Sequence, residues 1–249
     1  MQISHPYLTL ASSDLNGLLS MGWLTDALKS SLGRKLVMSL TGLFLILFLV
    51  GHLVGNTLLF ADDGGQAFNE YARFMTSNPV IQLLSITTYV SVILHVIYSI
   101  IITRKNRQAR PVSYAVSNSG ENSLWTSRNM GILGTIVLIF LIIHLKSFWY
   151  EMKFGEMPMI SYDGADELKD LYSIVAAAFS QWWYVAIYVL AMGGLAFHLS
   201  HGFKSAFQTL GLTHKKYTPL IEGVGFWFAI IVPTLFALMP IVMFIQSLA

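Results

Sequence analysis

The sequence contains no cysteine among its 249 residues. This absence excludes disulfides, cysteine-ligated iron–sulfur clusters, cysteine-containing zinc sites and covalent c-type haem, which requires a C-x-x-C-H motif. Any metal or cofactor held by this chain must therefore be bound by histidine, methionine, carboxylates or non-covalent packing.

Charge is also scarce. Charged residues make up 11% of the chain, against about 25% in an average soluble protein, and hydrophobic residues make up 55%. A water-soluble globule of this composition would expose large apolar patches and aggregate. The composition argues against a soluble enzyme, a disordered protein or a nucleic-acid binder. Residues 1–28 lack the basic start and apolar run of a secretory signal, so we expect none there.

Five stretches of the chain contain no Asp, Glu, Lys or Arg, and they cover residues 36–61, 74–103, 129–145, 171–203 and 223–249. A helix needs about 20 apolar residues to cross a bilayer. The third stretch is short, but it continues past Lys146, whose long side chain can reach the interface, into an aromatic segment. The pattern predicts an all-α integral membrane bundle of five transmembrane helices, near 36–60, 79–103, 128–150, 173–203 and 223–247.

Basic residues are distributed unevenly between the two sides of this predicted bundle. With the N-terminus in the cytoplasm, only four of the 15 Lys and Arg residues fall outside: Arg73, Lys146, Lys153 and Lys169. Cytoplasmic loops of membrane proteins are enriched in Lys and Arg. We therefore expect a cytoplasmic N-terminus and an outer C-terminus. We also expect a cytoplasmic or interfacial segment over residues 1–28 and one membrane domain over residues 29–249.

Five of the seven histidines fall within the predicted spans: His52, His95, His144, His198 and His201. Ionisable residues inside a bilayer are costly and are commonly functional. Counted at 1.5 Å per residue from the nearest inner basic residue, His52 and His144 lie about 25 Å and about 24 Å up. On the same count His95 and His198 lie about 13 Å and about 9 Å up. The histidines therefore define two levels, each supplied by two different helices.

Two imidazoles at one level can ligate a haem iron from both sides, which leaves no position for oxygen and makes the haem an electron carrier. The levels predict His52 and His144 as axial ligands of an outer haem b, and His95 and His198 as ligands of an inner haem b. Glycines beside these histidines, such as Gly51 and Gly202, would let a flat macrocycle approach the backbone, although ordinary helix packing explains them as well.

Haem propionates need cations or hydrogen-bond donors near the membrane surface. His201, one turn after His198, is either an alternative ligand or a propionate partner, and we favour His198 as the ligand. The other candidate propionate contacts are basic residues at the predicted inner surface, each of which also suits simple positive-inside anchoring: Arg34, Lys35, Arg128 and Lys204.

Three motifs carry a resemblance to a known family. Residues 31–42 read SLGRKLVMSLTG, residues 51–56 read GHLVGN, and residues 198–203 read HLSHGF. They resemble the dihaem cytochrome b membrane-anchor subunit of succinate dehydrogenase and fumarate reductase, the succinate:quinone oxidoreductase of respiratory complex II. The third motif is similar to the family's H-x-x-x-G ligand motif, which favours His198 over His201. The resemblance covers roughly residues 30–245.

The resemblance implies partners and cofactors that composition alone does not. A flavoprotein subunit with FAD and an iron–sulfur subunit would bind on the cytoplasmic side of a bacterial inner membrane. Electrons would pass through the two haems between these subunits and a membrane quinone, for which the dihaem type suggests menaquinone. This chain would then be the subunit of a tricarboxylic acid cycle enzyme that does not bind the dicarboxylate.

Two acidic positions of the family are relevant to the quinone and its protons. Quinol-oxidising members use a glutamate near the outer haem, and Glu70 lies in the corresponding outer region, where a solvated loop acid is the alternative interpretation. Some members carry a glutamate of a proton path two residues before the fourth-helix ligand. Ala196 occupies that position here, which puts that path in doubt.

Two other functions fit intramembrane histidines. A stand-alone dihaem transmembrane cytochrome b would use the same four ligands without partner subunits. A proton-coupled transporter would use the histidines as proton relays. A cytochrome bc-type core does not fit, because its paired histidines share two helices, whereas these lie on four.

Overall fold

The computed structural model describes residues 22–109 and 125–248, apart from 163 and 165. The described chain contains the five membrane-span-capable helices that the sequence predicted, called spans 1 to 5: Ser31–Phe60, Pro79–Gln108, Met130–Phe154, Trp182–Thr209 and Thr218–Gln246. Most of the predicted segment 1–28 lies outside the described residues, as do residues 110–124 between the second and third predicted spans. The protein is a multi-pass membrane protein.

Span 1 follows a short helix, Gly22–Lys29, after a sharp turn. The side chain of Ser30 caps the span by accepting a hydrogen bond from the Gly33 amide at 2.9 Å. A side chain at Gly33 would place its Cβ 1.9 Å from the Ala27 carbonyl oxygen, so the close approach of the two helices requires glycine. The α-helix Ser31–Asn56 then tightens into a 3₁₀ turn, Thr57–Phe60.

Both ends of span 2 carry residues that favour a helix terminus at that position. Asn78 accepts hydrogen bonds from the amides of Val80 and Ile81, and Pro79 occupies the first helical turn, where its missing N–H costs nothing. Lys105 and Arg107 lie in the last turn, where positive charge is stabilised by the helix dipole.

Span 3 changes its helical type at its outer end. A turn at Trp125–Arg128 leads into the α-helix Met130–His144, which becomes a π-helix over Leu145–Tyr150 and ends as Glu151–Phe154. The wider turns follow directly after His144, and π-helical turns are frequent at functional sites. The Trp149 indole donates to the Tyr89 hydroxyl at 2.7 Å, which ties this end of span 3 to span 2.

The prediction of one helix over 173–203 is wrong at its start. Residues Leu171–Phe179 form a separate helix capped by Asp170, and the chain bends at Gln181 before span 4 begins at Trp182. A single helix over the whole charge-free run 171–203 would be about 50 Å long, against about 30 Å of hydrocarbon. The first part of the apolar run therefore folds separately.

The core lies mainly between spans 1, 4 and 5. One buried cluster lies toward the predicted inner side, with the members Ile46, Ala191, Met192, Leu195, Leu199, Phe203 and Ala229. A second lies toward the predicted outer side, with the members Leu59, Phe68, Val175, Phe179, Tyr184, Val185, Tyr188 and Met243. Spans 2 and 3 leave many large apolar side chains exposed, as expected of surfaces that face lipid.

An outer cap, not predicted from the sequence, covers the second cluster. It consists of the helix Gln66–Ser77, the helix Leu171–Phe179, and two antiparallel strands, Met159–Ile160 and Leu168–Lys169, in which Met159 pairs with Lys169 and Ile160 with Leu168. Phe68 and Phe179 of the cap pack in the same cluster as Tyr184 and Tyr188 of span 4. The cap therefore shields this end of the bundle.

Asn69 links the parts of the outer cap. Its side chain is 1% exposed. Its amide nitrogen donates to the Tyr162 hydroxyl and to the Asp170 carboxylate, both at 2.9 Å, and its amide oxygen accepts from the Tyr172 backbone at 2.9 Å. Partial burial raises the pKa of the Tyr162 phenol above its ordinary value.

We expect Asn69→Ala to destabilise the cap, because it removes three hydrogen bonds of a buried side chain that join the parts of the cap. The cost expected for such a change is about 1–3 kcal/mol of unfolding free energy. Thermal unfolding of the purified protein in detergent measures it. Gln66→Ala is the control, since it removes only an exposed bond on the same helix. Equal unfolding temperatures for the two variants would contradict this role of Asn69.

Candidate functional site

The structure brings His52 of span 1 and His144 of span 3 together. Their ring centroids are 5.7 Å apart, with the ring planes at 89°. We call them the outer pair. Aromatic side chains surround both rings: Phe48 and Phe236 lie against His52, and Phe140 and Phe148 lie against His144. The surroundings of the outer pair are therefore strongly apolar.

His95 of span 2 and His198 of span 4 form a second pair, the inner pair. Their ring centroids are 6.3 Å apart, with the planes at 64°. Two glycines adjoin these rings: an added Cβ would lie 3.4 Å from His95 at Gly42 and 3.7 Å from His198 at Gly134. Spans 1 and 3 thus approach the inner pair where their side chains are absent.

The Nδ1 atoms of these histidines have different partners. His144 Nδ1 lies 3.1 Å from the Tyr188 hydroxyl, and His95 Nδ1 lies 3.2 Å from the Thr41 hydroxyl. His52 Nδ1 lies 3.5 Å from the Asn56 amide nitrogen, which donates to the His52 carbonyl at 2.7 Å. His198 Nδ1 is buried and has no hydrogen-bond partner among the described residues.

Both pairs suit a shared metal ion. A histidine that binds a metal through one ring nitrogen is usually held by a hydrogen bond at the other, and the contacts of His95 and His144 at Nδ1 leave Nε2 for a metal. Bonds from a metal to imidazole nitrogen are about 2 Å long, which places the centres of two rings on one ion about 6 Å apart. With two protein ligands per site, the remaining ligands must come with the metal, as they do in haem.

The candidate propionate contacts occupy varied surroundings. His201 is half-buried on span 4, and Lys204 forms a salt bridge with Glu222 of span 5 at 2.6 Å. The Arg34 guanidinium donates to the Lys29 carbonyl. Lys35 and Arg128 are exposed. The propionate roles of all five residues stay predictions.

Glu70 lies on the outer cap. Its carboxylate is exposed and accepts a hydrogen bond from the Gln66 side chain at 2.8 Å. Its quinone-site role stays a prediction. Ala196, where some members of the resembled family carry glutamate, is half-buried on span 4.

Three hydroxyl-bearing residues of the site were not predicted from the sequence: Tyr188, Tyr184 and Thr41. Tyr188 and Tyr184 are buried, and their hydroxyls lie 3.3 Å apart. The sequence did contain a signal for the two tyrosines, because both fall within an apolar run. A buried tyrosine usually finds a hydrogen-bond partner for its hydroxyl. Only the packing of span 4 against span 3 identifies His144 as that partner.

Comparisons with known proteins agree with the resemblance. No family model matches the chain, and no solved structure matches it. The chain is similar to the succinate dehydrogenase cytochrome b558 subunit of Bacillus subtilis (strain 168), with 28% identity over 192 residues. The match covers 75% of this chain and 81% of that subunit. It confirms the predicted resemblance to the cytochrome b membrane-anchor subunits of succinate dehydrogenase.

We expect substitutions within one pair to affect one and the same haem. His52→Ala and His144→Ala should remove one spectral component, and His95→Ala and His198→Ala the other, because axial coordination contributes much of the binding of each haem. Reduced-minus-oxidised spectra and haem-to-protein ratios of the purified variants measure this.

His201→Ala is the matched control for His198→Ala, since it removes a histidine one turn away. It should have the milder effect, because a propionate contact is a single hydrogen bond. Loss of a haem in His201→Ala but not in His198→Ala would reverse the ligand assignment. Loss of the same component in His52→Ala and His95→Ala would contradict the pairing.

Proposed function

We propose that this chain is the cytochrome b membrane-anchor subunit of a succinate:quinone oxidoreductase, with two b haems. His52 and His144 would hold one haem, and His95 and His198 the other. The observation that carries the proposal is the grouping of four intramembrane histidines from four spans into two separate pairs. The similarity to a succinate dehydrogenase cytochrome b558 subunit supports the class of complex.

Each haem, when bound, supplies a one-electron carrier without an open coordination position. The chain's own residues hold and shield it. Phe48, Phe140, Phe148 and Phe236 keep water from the outer pair. Gly42 and Gly134 bring the backbones of spans 1 and 3 beside the inner pair, where the absence of a side chain would let a flat ring approach.

The two levels suit transfer of electrons between the two faces of the membrane. The inner end of span 2 carries Lys105 and Arg107, which indicates a cytoplasmic position. The flavoprotein and iron–sulfur subunits would bind on that side, near the inner pair. A quinone, which we propose to be menaquinone, would exchange electrons near the outer pair, with Glu70 as the candidate residue for its protons.

The haem content and the co-purifying subunits test this function together. We expect the chain, purified from bacterial membranes that contain its native complex, to carry two haems b and to bring a flavoprotein and an iron–sulfur protein with it. Two haems without partner subunits would favour a stand-alone dihaem cytochrome. A chain without haem would overturn the proposal and favour a transporter.

The absence of cysteine allows a direct test of the orientation. Asp166→Cys lies in the predicted outer loop and Lys215→Cys in the predicted inner loop, and both positions are exposed. In intact cells, we expect a membrane-impermeant maleimide to label the first variant and not the second, because of the positive-inside distribution. The unsubstituted chain is the control for background labelling. The reverse pattern would contradict the proposed topology.

A further inference from the structure

Tyr188 places a buried hydroxyl deep within an apolar helix. Its side chain is buried, with 6% exposed, and its ring packs against Phe140 and Phe179, with centroids 4.9 Å and 5.0 Å away. A hydroxyl in such surroundings is costly unless it is hydrogen-bonded. The Tyr188 oxygen has two partners, His144 Nδ1 at 3.1 Å and the Tyr184 hydroxyl at 3.3 Å.

The chemistry of an axial histidine gives this chain of hydrogen bonds a direction. An imidazole that binds a metal through Nε2 carries its hydrogen on Nδ1. The His144 Nδ1–H would then donate to the Tyr188 oxygen. Tyr188 keeps its own hydrogen for Tyr184, which is also buried. The hydroxyls of Tyr188 and Tyr184 therefore extend the hydrogen bond of one imidazole, that of His144.

We propose that Tyr188 is a positioning residue for His144, and that Tyr184 acts through Tyr188. This inference rests on the proposed function. By accepting the Nδ1–H bond, Tyr188 holds the imidazole ring in place and makes it a more basic ligand. A more basic ligand stabilises the oxidised iron, so the pair of tyrosines lowers the reduction potential of the outer haem. Donation onward to Tyr184 strengthens the first bond, because linked hydrogen bonds polarise one another.

We call Tyr188 and Tyr184 the tyrosine relay of His144, and among the described residues the inner pair has no counterpart of it. The Thr41 hydroxyl beside His95 directs its own hydrogen to the Val37 carbonyl at 2.8 Å or the Met38 carbonyl at 3.1 Å, so it can accept from the His95 Nδ1–H but donates to no other described side chain. His95 also interacts with the Met38 backbone. The tyrosine relay therefore belongs to the outer pair alone among the described residues. Thr41 supplies a matched site for comparison.

Potentiometric titration of the haems in the purified complex tests the proposal. Tyr188→Phe keeps the packed ring and removes only the hydroxyl. It should raise the midpoint potential of the haem that His144→Ala removes and leave the other potential unchanged. Tyr184→Phe should raise the same potential by less. Thr41→Val, nearly equal in shape, should raise the potential of the other haem only.

The outcomes separate this role from the function it rests on. Two haems with unshifted potentials in both Tyr188→Phe and Tyr184→Phe would overturn the role of the tyrosines. Equal shifts of both haems in Tyr188→Phe would do the same, because they would indicate a general disturbance of packing. Absence of haem from the unsubstituted complex would instead overturn the proposed function. If Tyr188→Phe fails to fold, the shift in Tyr184→Phe decides the matter.

Discussion

The burial of polar rings in an apolar bundle is the constraint on which the rest of the structure depends. An imidazole or a phenol within a bilayer stays there only where it has partners. The bundle meets this requirement for two of the four paired histidines by placing hydroxyl groups beside them: Tyr188 for His144 and Thr41 for His95. Glycines at 42 and 134 allow neighbouring helices to approach the inner pair. These contacts link spans 1 to 4 to one another.

The spans were predictable because a bilayer crossing requires a long stretch without charge, and length and charge are visible in any sequence. The start of span 4 was not predictable, because an apolar run does not reveal where the chain leaves the hydrocarbon. The outer cap was not predictable either. Its central residue, Asn69, bonds to Tyr162, Asp170 and Tyr172, which lie about a hundred positions later. Contacts over such separations are set by packing rather than by local pattern.

The candidate site was likewise predictable from the sequence only in part. Counting helical rise from the nearest basic residue predicted which histidines share a level, and the structure brings those residues together. The residues around the histidines could not be assigned in this manner. Tyr188 contacts His144 through the packing of two spans, and Lys204 pairs with Glu222 of the following span. The π-helix after His144 was likewise not predictable, because residues 145–150 show no pattern that indicates it.

The two histidine pairs interleave along the chain, and this has a consequence for biosynthesis. One pair joins spans 1 and 3, and the other joins spans 2 and 4. A nascent polypeptide with two spans inserted thus holds one member of each pair and has completed neither. The outer pair can close only when span 3 has entered the membrane, and the inner pair only after span 4. A chain divided between spans 2 and 3 leaves both pairs split between its halves. Both pairs are therefore complete only after four of the five spans have been inserted.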